Sequence, residues 1–213
     1  MTPEQLAFAA IGLILGLAAD RLATRWPEHD EEHPPGRPID WRTAVCGVFG
    51  AFAFAVLPGR FWGDPLALAL FTAWFATLVI GMATDLDQRI LSNILTLPVI
   101  PVGLVYALSG LNPLVGTELL PAVAVATLIP GAIYLASIPF GEGAFGIGDV
   151  KLLAGVGLMS GGIRGFTGFA SGLFAAGIVI ALLLVTRRVG RKTFIPFGPF
   201  LVFGAVWGIF VRA

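Results

Sequence analysis

The chain has 213 residues, of which 57% are hydrophobic and only 12% are charged, and its mean hydropathy is +0.90. The apolar residues form long blocks, which excludes an ordinary soluble domain and predicts an all-α protein that crosses a membrane several times. A formal net charge of zero argues neither for nor against nucleic acid, and we predict no nucleic-acid partner. The single Cys46 excludes an intrachain disulfide and a cysteine-based zinc site.

Eight apolar segments are candidate membrane helices. They lie at residues 5–22, 43–57, 66–84, 94–110 and 118–138, in a short run that ends at Ser160, and at residues 164–186 and 194–211. The third has 19 residues, and at about 1.5 Å per residue it matches a hydrocarbon core of about 30 Å. We therefore predict one membrane domain over residues 1–213, a helical bundle of about eight spans in a lipid bilayer.

The first segment is expected to be a retained helix with its N-terminus outside. Residues 1–4 carry no Lys or Arg, whereas Arg21 and Arg25 follow the segment, so it does not have the pattern of a secretory signal peptide. Gly12 and Gly16 stand four residues apart on it, a small-residue pair that lets a second helix approach closely. The fourth segment contains two prolines and is expected to be kinked.

Residues 23–42 are the one long polar stretch, and we interpret them as a cytoplasmic loop rather than a separate domain. His29 and His33 stand four apart there, as in the His-Glu-x-x-His pattern of zinc proteases. Position 30 is Asp rather than Glu, and the surroundings are rich in proline. We therefore predict a solvated acidic loop and no metal site.

The basic residues predict the orientation of the bundle. With the N-terminus outside and all eight segments crossing, ten of the 13 Lys and Arg residues fall in loops on the inner side, as expected for cytoplasmic loops. The same loops hold four carboxylates: Asp85, Asp87, Glu142 and Asp149. Two loops that are distant in sequence are therefore predicted to bring carboxylates to one face.

A pair of such aspartates can hydrolyse a peptide bond. Two carboxyl groups within hydrogen-bonding range share one proton more readily than they both ionise. One can take a proton from water while the other polarises a peptide carbonyl, and this aspartic-protease arrangement needs no metal, cofactor or cysteine. Gly146 and Gly148 remove side chains beside Asp149, which lets the backbone of a bound peptide approach.

Each acid also has a purely structural interpretation. Charged residues at helix ends commonly mark only the membrane boundary. This explanation is sufficient to account for Asp87, Glu142 and Arg89. Asp149 can simply cap a helix that begins at Val150. The presence of both motifs in one chain is what favours the functional interpretation.

Three motifs, in the same order, resemble those of the type IV prepilin peptidases, membrane aspartic proteases of the GxGD class. In that family an Asp is followed seven and eight residues later by Pro-Asn, and here Asp85 stands eight before Asn93. Gly-x-Gly-Asp-x-Lys-Leu is found at 146–152. Ile-Pro-Phe-Gly-Pro-Phe is intact at 195–200.

The resemblance covers roughly residues 66–211 and implies an endopeptidase of a prokaryotic inner membrane. It implies that Asp85 and Asp149 are catalytic and face the cytoplasm, and that the substrate is a prepilin-like precursor cut after a glycine. Four further residues are implied to support the motifs: Gly146, Gly148, Lys151 and Asn93. The acidic loop at 28–32 is most simply a solvated spacer, with attraction of a basic leader as the alternative.

The chain departs from the family pattern at two places. Ser92 replaces the usual proline, which is expected to alter loop stiffness more than chemistry. The loop 23–42 is short and has no cysteine, whereas bifunctional members carry there a cysteine-bearing segment associated with methylating the cleaved pilin. The resemblance therefore supports cleavage much better than methylation.

Two other classes of function stay open at this point. Carboxylates within membrane segments also mark ion- or proton-coupled transporters, although here the acids cluster at one face rather than at the midplane. The third class is an inactive relative with a scaffold role, which the presence of both aspartates disfavours. The sequence names neither the substrate, nor the oligomeric state, nor the pilus, secretion or competence system served.

The position of Asp149 relative to the bilayer depends on where its helix ends. The 14 residues from Asp149 to Gly162 span about 21 Å as a helix, less than a hydrocarbon core of about 30 Å. Either the helix continues through Gly161 and Gly162, or Asp149 lies below the cytoplasmic surface.

Overall fold

A computed structural model describes residues 1–29, 35–138, 146–190 and 195–211, and within these residues it contains helices and no strand. The helices are α1 (Pro3–Ala23), α2 (Trp41–Phe61), α3 (Pro65–Gln88), α4 (Asn93–Thr96), α5 (Val99–Leu108), α6 (Leu119–Ser137), α7 (Ile147–Ser160), α8 (Gly162–Val185) and α9 (Gly198–Phe210). The predicted all-α membrane bundle is confirmed.

Five helices in the described ranges are long and apolar enough to span a bilayer, namely α1, α2, α3, α6 and α8. The α4–α5 segment and α9 are apolar but shorter. Every predicted segment falls on a helix, and the fourth is interrupted before Val99, next to one of its prolines. The number of helices that cross, and the side on which the N-terminus lies, stay predictions.

Helix α3 is longer than its apolar run suggests. It begins after Asp64, whose side chain accepts a hydrogen bond from the N–H of Ala67. It ends at Gln88, because Arg89 adopts a left-handed conformation with a φ of 58° and donates its N–H to the carbonyl of Asp85. Asp85 therefore lies in the last turns of a helix rather than in the loop that follows it.

The core forms around α3, which packs against α1, α2 and α9. Phe71 and Phe75 of α3 are fully buried, and Phe71 stacks on Phe61 of α2 with ring centroids 4.3 Å apart. Val202 and Val206 of α9 are also fully buried. The acids thus lie at the end of a helix that packs against three others.

Glycines provide the closest contacts between helices. A Cβ added at Gly12 of α1 would lie 2.1 Å from the carbonyl oxygen of Gly50 on α2, and Gly16 packs just as closely. The predicted small-residue pair is therefore the surface on which α1 meets α2. Helices α8 and α9 meet in the same way, since a Cβ at Gly204 would lie 2.2 Å from the carbonyl oxygen of Gly168.

Helix α7 is short and does not run on into α8. It ends at Ser160, because Gly161 has a φ of 83°, a conformation that favours glycine. A Cβ at Gly161 would also lie 2.6 Å from the carbonyl oxygen of Leu114. The 14 residues of α7 rise about 21 Å. The helix is thus too short to cross an average bilayer upright, while the depth of Asp149 in the membrane stays a prediction.

Candidate active site

Asp85 is a buried carboxylate held by a backbone donor. It is 6% exposed, and its Oδ2 accepts a hydrogen bond of 2.9 Å from the N–H of Gly198, the first residue of α9. The free N–H groups and the dipole at the start of a helix favour a negative charge. Within the described ranges no cation forms an ion pair with Asp85, although the charge of Arg89 acts on it from farther away.

Asp149 is the third residue of α7 and is held in a similar way. Its Oδ2 accepts a hydrogen bond of 3.2 Å from the N–H of Gly146, the residue that precedes the helix. The helix begins at Ile147 rather than Val150, so Gly146 and not Asp149 occupies the N-cap position. The buried Oδ1 of Asp149 has no hydrogen-bond partner among the described residues. Because buried polar atoms nearly always have a partner, this oxygen is a candidate for contact with substrate or water.

The two predicted aspartates lie on the ends of α3 and α7, where residues that flank the two acids are in contact. The negative charge of Asp149 also acts on Asp85. Each carboxylate has one oxygen bound to a backbone N–H at the start of a helix. In the described part of the chain no hydrogen bond occupies the other oxygen of either carboxylate. The catalytic role of the pair stays a prediction.

The two sequence motifs are also in direct contact through their supporting residues. The Nζ of Lys151 donates a hydrogen bond of 2.7 Å to Oδ1 of Asn93, which joins α7 to α4. A Cβ at Gly148 would lie 2.8 Å from the Cβ of Leu91, so the start of α7 can approach the turn after α3 only with glycine here. At Gly146 a Cβ would come no closer than 3.4 Å to another atom, an ordinary contact.

Ser92, where the family has proline, starts the short helix α4. Its side chain accepts a hydrogen bond of 3.4 Å from the N–H of Ile94. Its φ of −63° and ψ of 140° are values that proline also adopts. Ser92 thus has a backbone conformation that proline could also adopt at this position.

Asp87 belongs to a different set of contacts from Asp85. The Nε of Arg37 donates to Oδ1 of Asp87 over 2.6 Å, and its Nη2 donates to Oδ1 of Asp20 over 2.5 Å. The Nη1 of Arg37 donates to Asp40, which also caps α2. We call Asp20, Arg37, Asp40 and Asp87 the Arg37 cluster. Arg42 adds a second, longer ion pair to Asp87 at 3.4 Å.

Three of the four members of the Arg37 cluster are largely removed from solvent. The exposed fraction of the side chain is 12% for Arg37, 1% for Asp20 and 5% for Asp87. Burial alone lowers the pKa of Arg37, but hydrogen bonds from its guanidinium to Asp87 and Asp20 outweigh burial and raise the pKa overall. Arg37 thus stays charged and ties the polar loop to α1, α2 and α3.

Several residues around the site were not predicted from the sequence. Asp20 could have been identified, because it is an acid inside an apolar segment and stands next to Arg21. Gly198 was noted only as part of the motif at 195–200, with no chemical role. Arg37 could not have been identified, because the sequence of a loop rich in positive and negative residues does not specify which of them form ion pairs.

Some predicted features cannot be placed. Glu142 lies outside the described residues, as do His33 and most of the acidic loop. The comparison with a zinc site and the proposed attraction of a basic leader therefore stay untested.

Known proteins resemble this chain over most of its length. Residues 70–186 match the type IV leader peptidase family. The chain is 31% identical over 175 residues to "Prepilin leader peptidase/N-methyltransferase" of Aeromonas hydrophila, covering 80% of the chain and 57% of that relative. It is 29% identical over 179 residues to "Type 4 prepilin-like proteins leader peptide-processing enzyme" of Escherichia coli, covering 82% and 63%. The chain thus spans less than two thirds of the length of these relatives. No solved structure matches it.

Proposed function

The chain belongs to the type IV leader peptidase family, and from this we propose that it is a membrane aspartic endopeptidase that removes the leader of prepilin-like precursors. The observation that supports the proposal is that Asp85 and Asp149 lie at helix ends whose flanking residues are in contact. Each carboxylate is bound by a backbone N–H, and neither is ion-paired in the described ranges. Family membership also favours a peptidase over a transporter.

The proposed reaction uses one proton shared between the two carboxyl groups. The ionised carboxylate takes a proton from a water molecule, whose oxygen attacks the carbonyl carbon of the scissile peptide bond. The protonated carboxyl donates a hydrogen bond to the carbonyl oxygen and stabilises the charge that develops there. The proton taken from water then passes to the leaving nitrogen as the C–N bond breaks. The free oxygens of Asp85 and Asp149 are the atoms assigned to these steps.

We propose that the substrate carries a short basic leader in the cytoplasm followed by an apolar helix in the membrane. The printed names of the relatives support prepilin-like substrates, and cleavage after a glycine follows from the resemblance to the family. The distribution of Lys and Arg supports a position of Asp85 and Asp149 at the cytoplasmic face, and the resemblance to the family supports a prokaryotic inner membrane.

We propose cleavage for this chain, and methyl transfer has much weaker support. The relative from Aeromonas hydrophila is named for both activities. Here the loop at 23–42 contains no cysteine. Its described residues include Arg37 and Asp40, which are engaged in ion pairs that fasten the loop to the bundle.

The test is cleavage of a defined precursor by the purified full-length chain in proteoliposomes. The probe has a basic leader, a glycine at the cleavage position and an apolar helix of about 20 residues, and product masses also reveal any added methyl group. Asp85→Asn and Asp149→Asn are each expected to lose at least about 1,000-fold in kcat/KM. Asp64→Asn, which keeps a good cap on α3, serves as the control and is expected to be fully active. Near-normal cleavage by either of the first two variants would refute the proposal.

A further inference from the structure

The motif at 195–200 has no chemical role in the proposal so far. Its Gly198 is buried and donates its N–H to Oδ2 of Asp85 over 2.9 Å, a bond between residues 113 apart in sequence. We propose that Gly198 is a positioning residue for the proposed peptidase: its N–H fixes the orientation of the Asp85 carboxylate and leaves the other oxygen available for the reaction. This inference rests on the proposed function.

The space beside Asp85 admits only glycine. A Cβ built on residue 198 would lie 2.6 Å from Oδ2 and 2.8 Å from Cγ of Asp85, and side-chain carbons essentially never approach other atoms closer than 3.0 Å. The φ of Gly198 is not positive. Glycine is therefore required here for close approach to the carboxylate and not for an unusual backbone conformation.

The start of α9 offers this single donor to Asp85. The second residue, Pro199, has no N–H, and the N–H of Phe200 bonds to the carbonyl of Phe197. The N–H of Gly198 is one that a helix leaves without an intrahelical partner, so its bond to Asp85 costs the helix nothing. The 13 residues of α9 add the favourable dipole of a helix start.

Two charged residues act on the ionised form of Asp85 in addition to the N–H of Gly198. Asp149 on α7 repels a second negative charge, and Arg89 at the end of α3 attracts it from a distance. A hydrogen bond to the ionised form favours that form. Loss of the Gly198 donor is therefore expected to change both the rate of the chemical step and its dependence on pH.

The sharpest test replaces the peptide N–H of residue 198 by an ester oxygen, through incorporation of glycolic acid. This change deletes the donor and adds no atom to the crowded space. We expect kcat to fall about 10- to 100-fold, the worth of a hydrogen bond to a charged group. KM for the synthetic precursor is expected to stay constant, and the acid side of the pH–rate profile to move to higher pH. The matched control is an ester at residue 200, which breaks a local bond on the same helix and is expected to leave kcat unchanged.

Gly198→Ala tests the same contact by adding a methyl group. We expect a loss of kcat of at least about 100-fold, whereas Gly177→Ala, with no atom near its added Cβ, is expected to be unaffected. If the alanine variant does not fold, the ester variant alone decides the question.

The outcomes separate the two proposals. Wild-type kcat and pH profile in the ester variant, with Asp85→Asn and Asp149→Asn inactive, would overturn the role of Gly198 alone. Normal cleavage by the Asp variants would instead overturn the proposed function, and the role of Gly198 with it.

Discussion

Asp85 and Asp87 lie two residues apart on one helix, and both are almost fully buried, yet their surroundings are opposite. Asp87 contacts the guanidinium groups of Arg37 and Arg42. In the described part of the chain Asp85 receives only a backbone N–H, and the charge that affects it most is that of another acid, Asp149. Residues two apart on a helix face different directions, which makes this separation possible. Burial alone therefore does not distinguish a candidate catalytic acid from a structural one, whereas the neighbouring charges do.

The largest expected effect comes from replacing Asp85 and Asp87 by asparagine in two separate variants. Asp85→Asn should lose at least about 1,000-fold in kcat/KM while keeping its thermal stability, because no cation loses its counter-charge. Asp87→Asn should lose less than about tenfold in activity but destabilise the fold by about 1 to 3 kcal/mol. Cleavage assays and thermal unfolding in detergent measure the two effects. Equal losses of activity in both variants would remove the distinction drawn here.

Removal of Arg37 is expected to cost the most stability. Arg37→Met leaves buried carboxylates without their main counter-charge, which should lower the free energy of unfolding by about 3 to 5 kcal/mol. Arg25→Met in the same loop is the control, since Arg25 is exposed and a surface change should stay within about 0.5 kcal/mol. Reversible unfolding of both variants in mixed micelles provides the measurement. A stable Arg37→Met protein would show that the Arg37 cluster is not what fastens the loop.

The smallest expected effect concerns the contact that joins the two motifs. Lys151→Met and Asn93→Ala should each reduce kcat/KM by about three- to tenfold, since a single partly exposed hydrogen bond is worth about 1 kcal/mol. A double-mutant cycle measures the coupling between the two residues. Strict additivity would mean that the bond does not contribute to positioning Asp149 relative to Asp85.

The fold could largely be predicted from the sequence, because each apolar segment has the length and composition of a helix. The residue at which α3 ends could not be predicted. Hydropathy falls after residue 84, but the helix continues because its last residues have buried partners, such as the bond of 3.1 Å from Nε2 of Gln88 to the carbonyl of Trp26. Tertiary contacts of this kind leave no periodic pattern in the sequence.

The parts of the candidate site that are side chains could be predicted from the sequence, whereas the backbone donor could not. Asp85 and Asp149 stand in recognisable motifs, and the structure brings residues of the two motifs into contact. The donor from Gly198 has no side-chain signature, and glycine in an apolar chain is too frequent to single out one position. The ion pairs of Arg37 depend on how a loop folds back over three helices, which residue spacing does not specify.

The glycine contact between α8 and α9 has a consequence for inhibition. Gly204 lies six residues after Gly198, about 9 Å along α9, and its backbone rests directly on that of Gly168. Any sideways displacement of α9 at this contact also moves the N–H that holds Asp85. A lipophilic compound that wedges the two helices apart from within the bilayer would thus inhibit the proposed peptidase allosterically, at a position remote from the buried carboxylates and insensitive to competition by substrate.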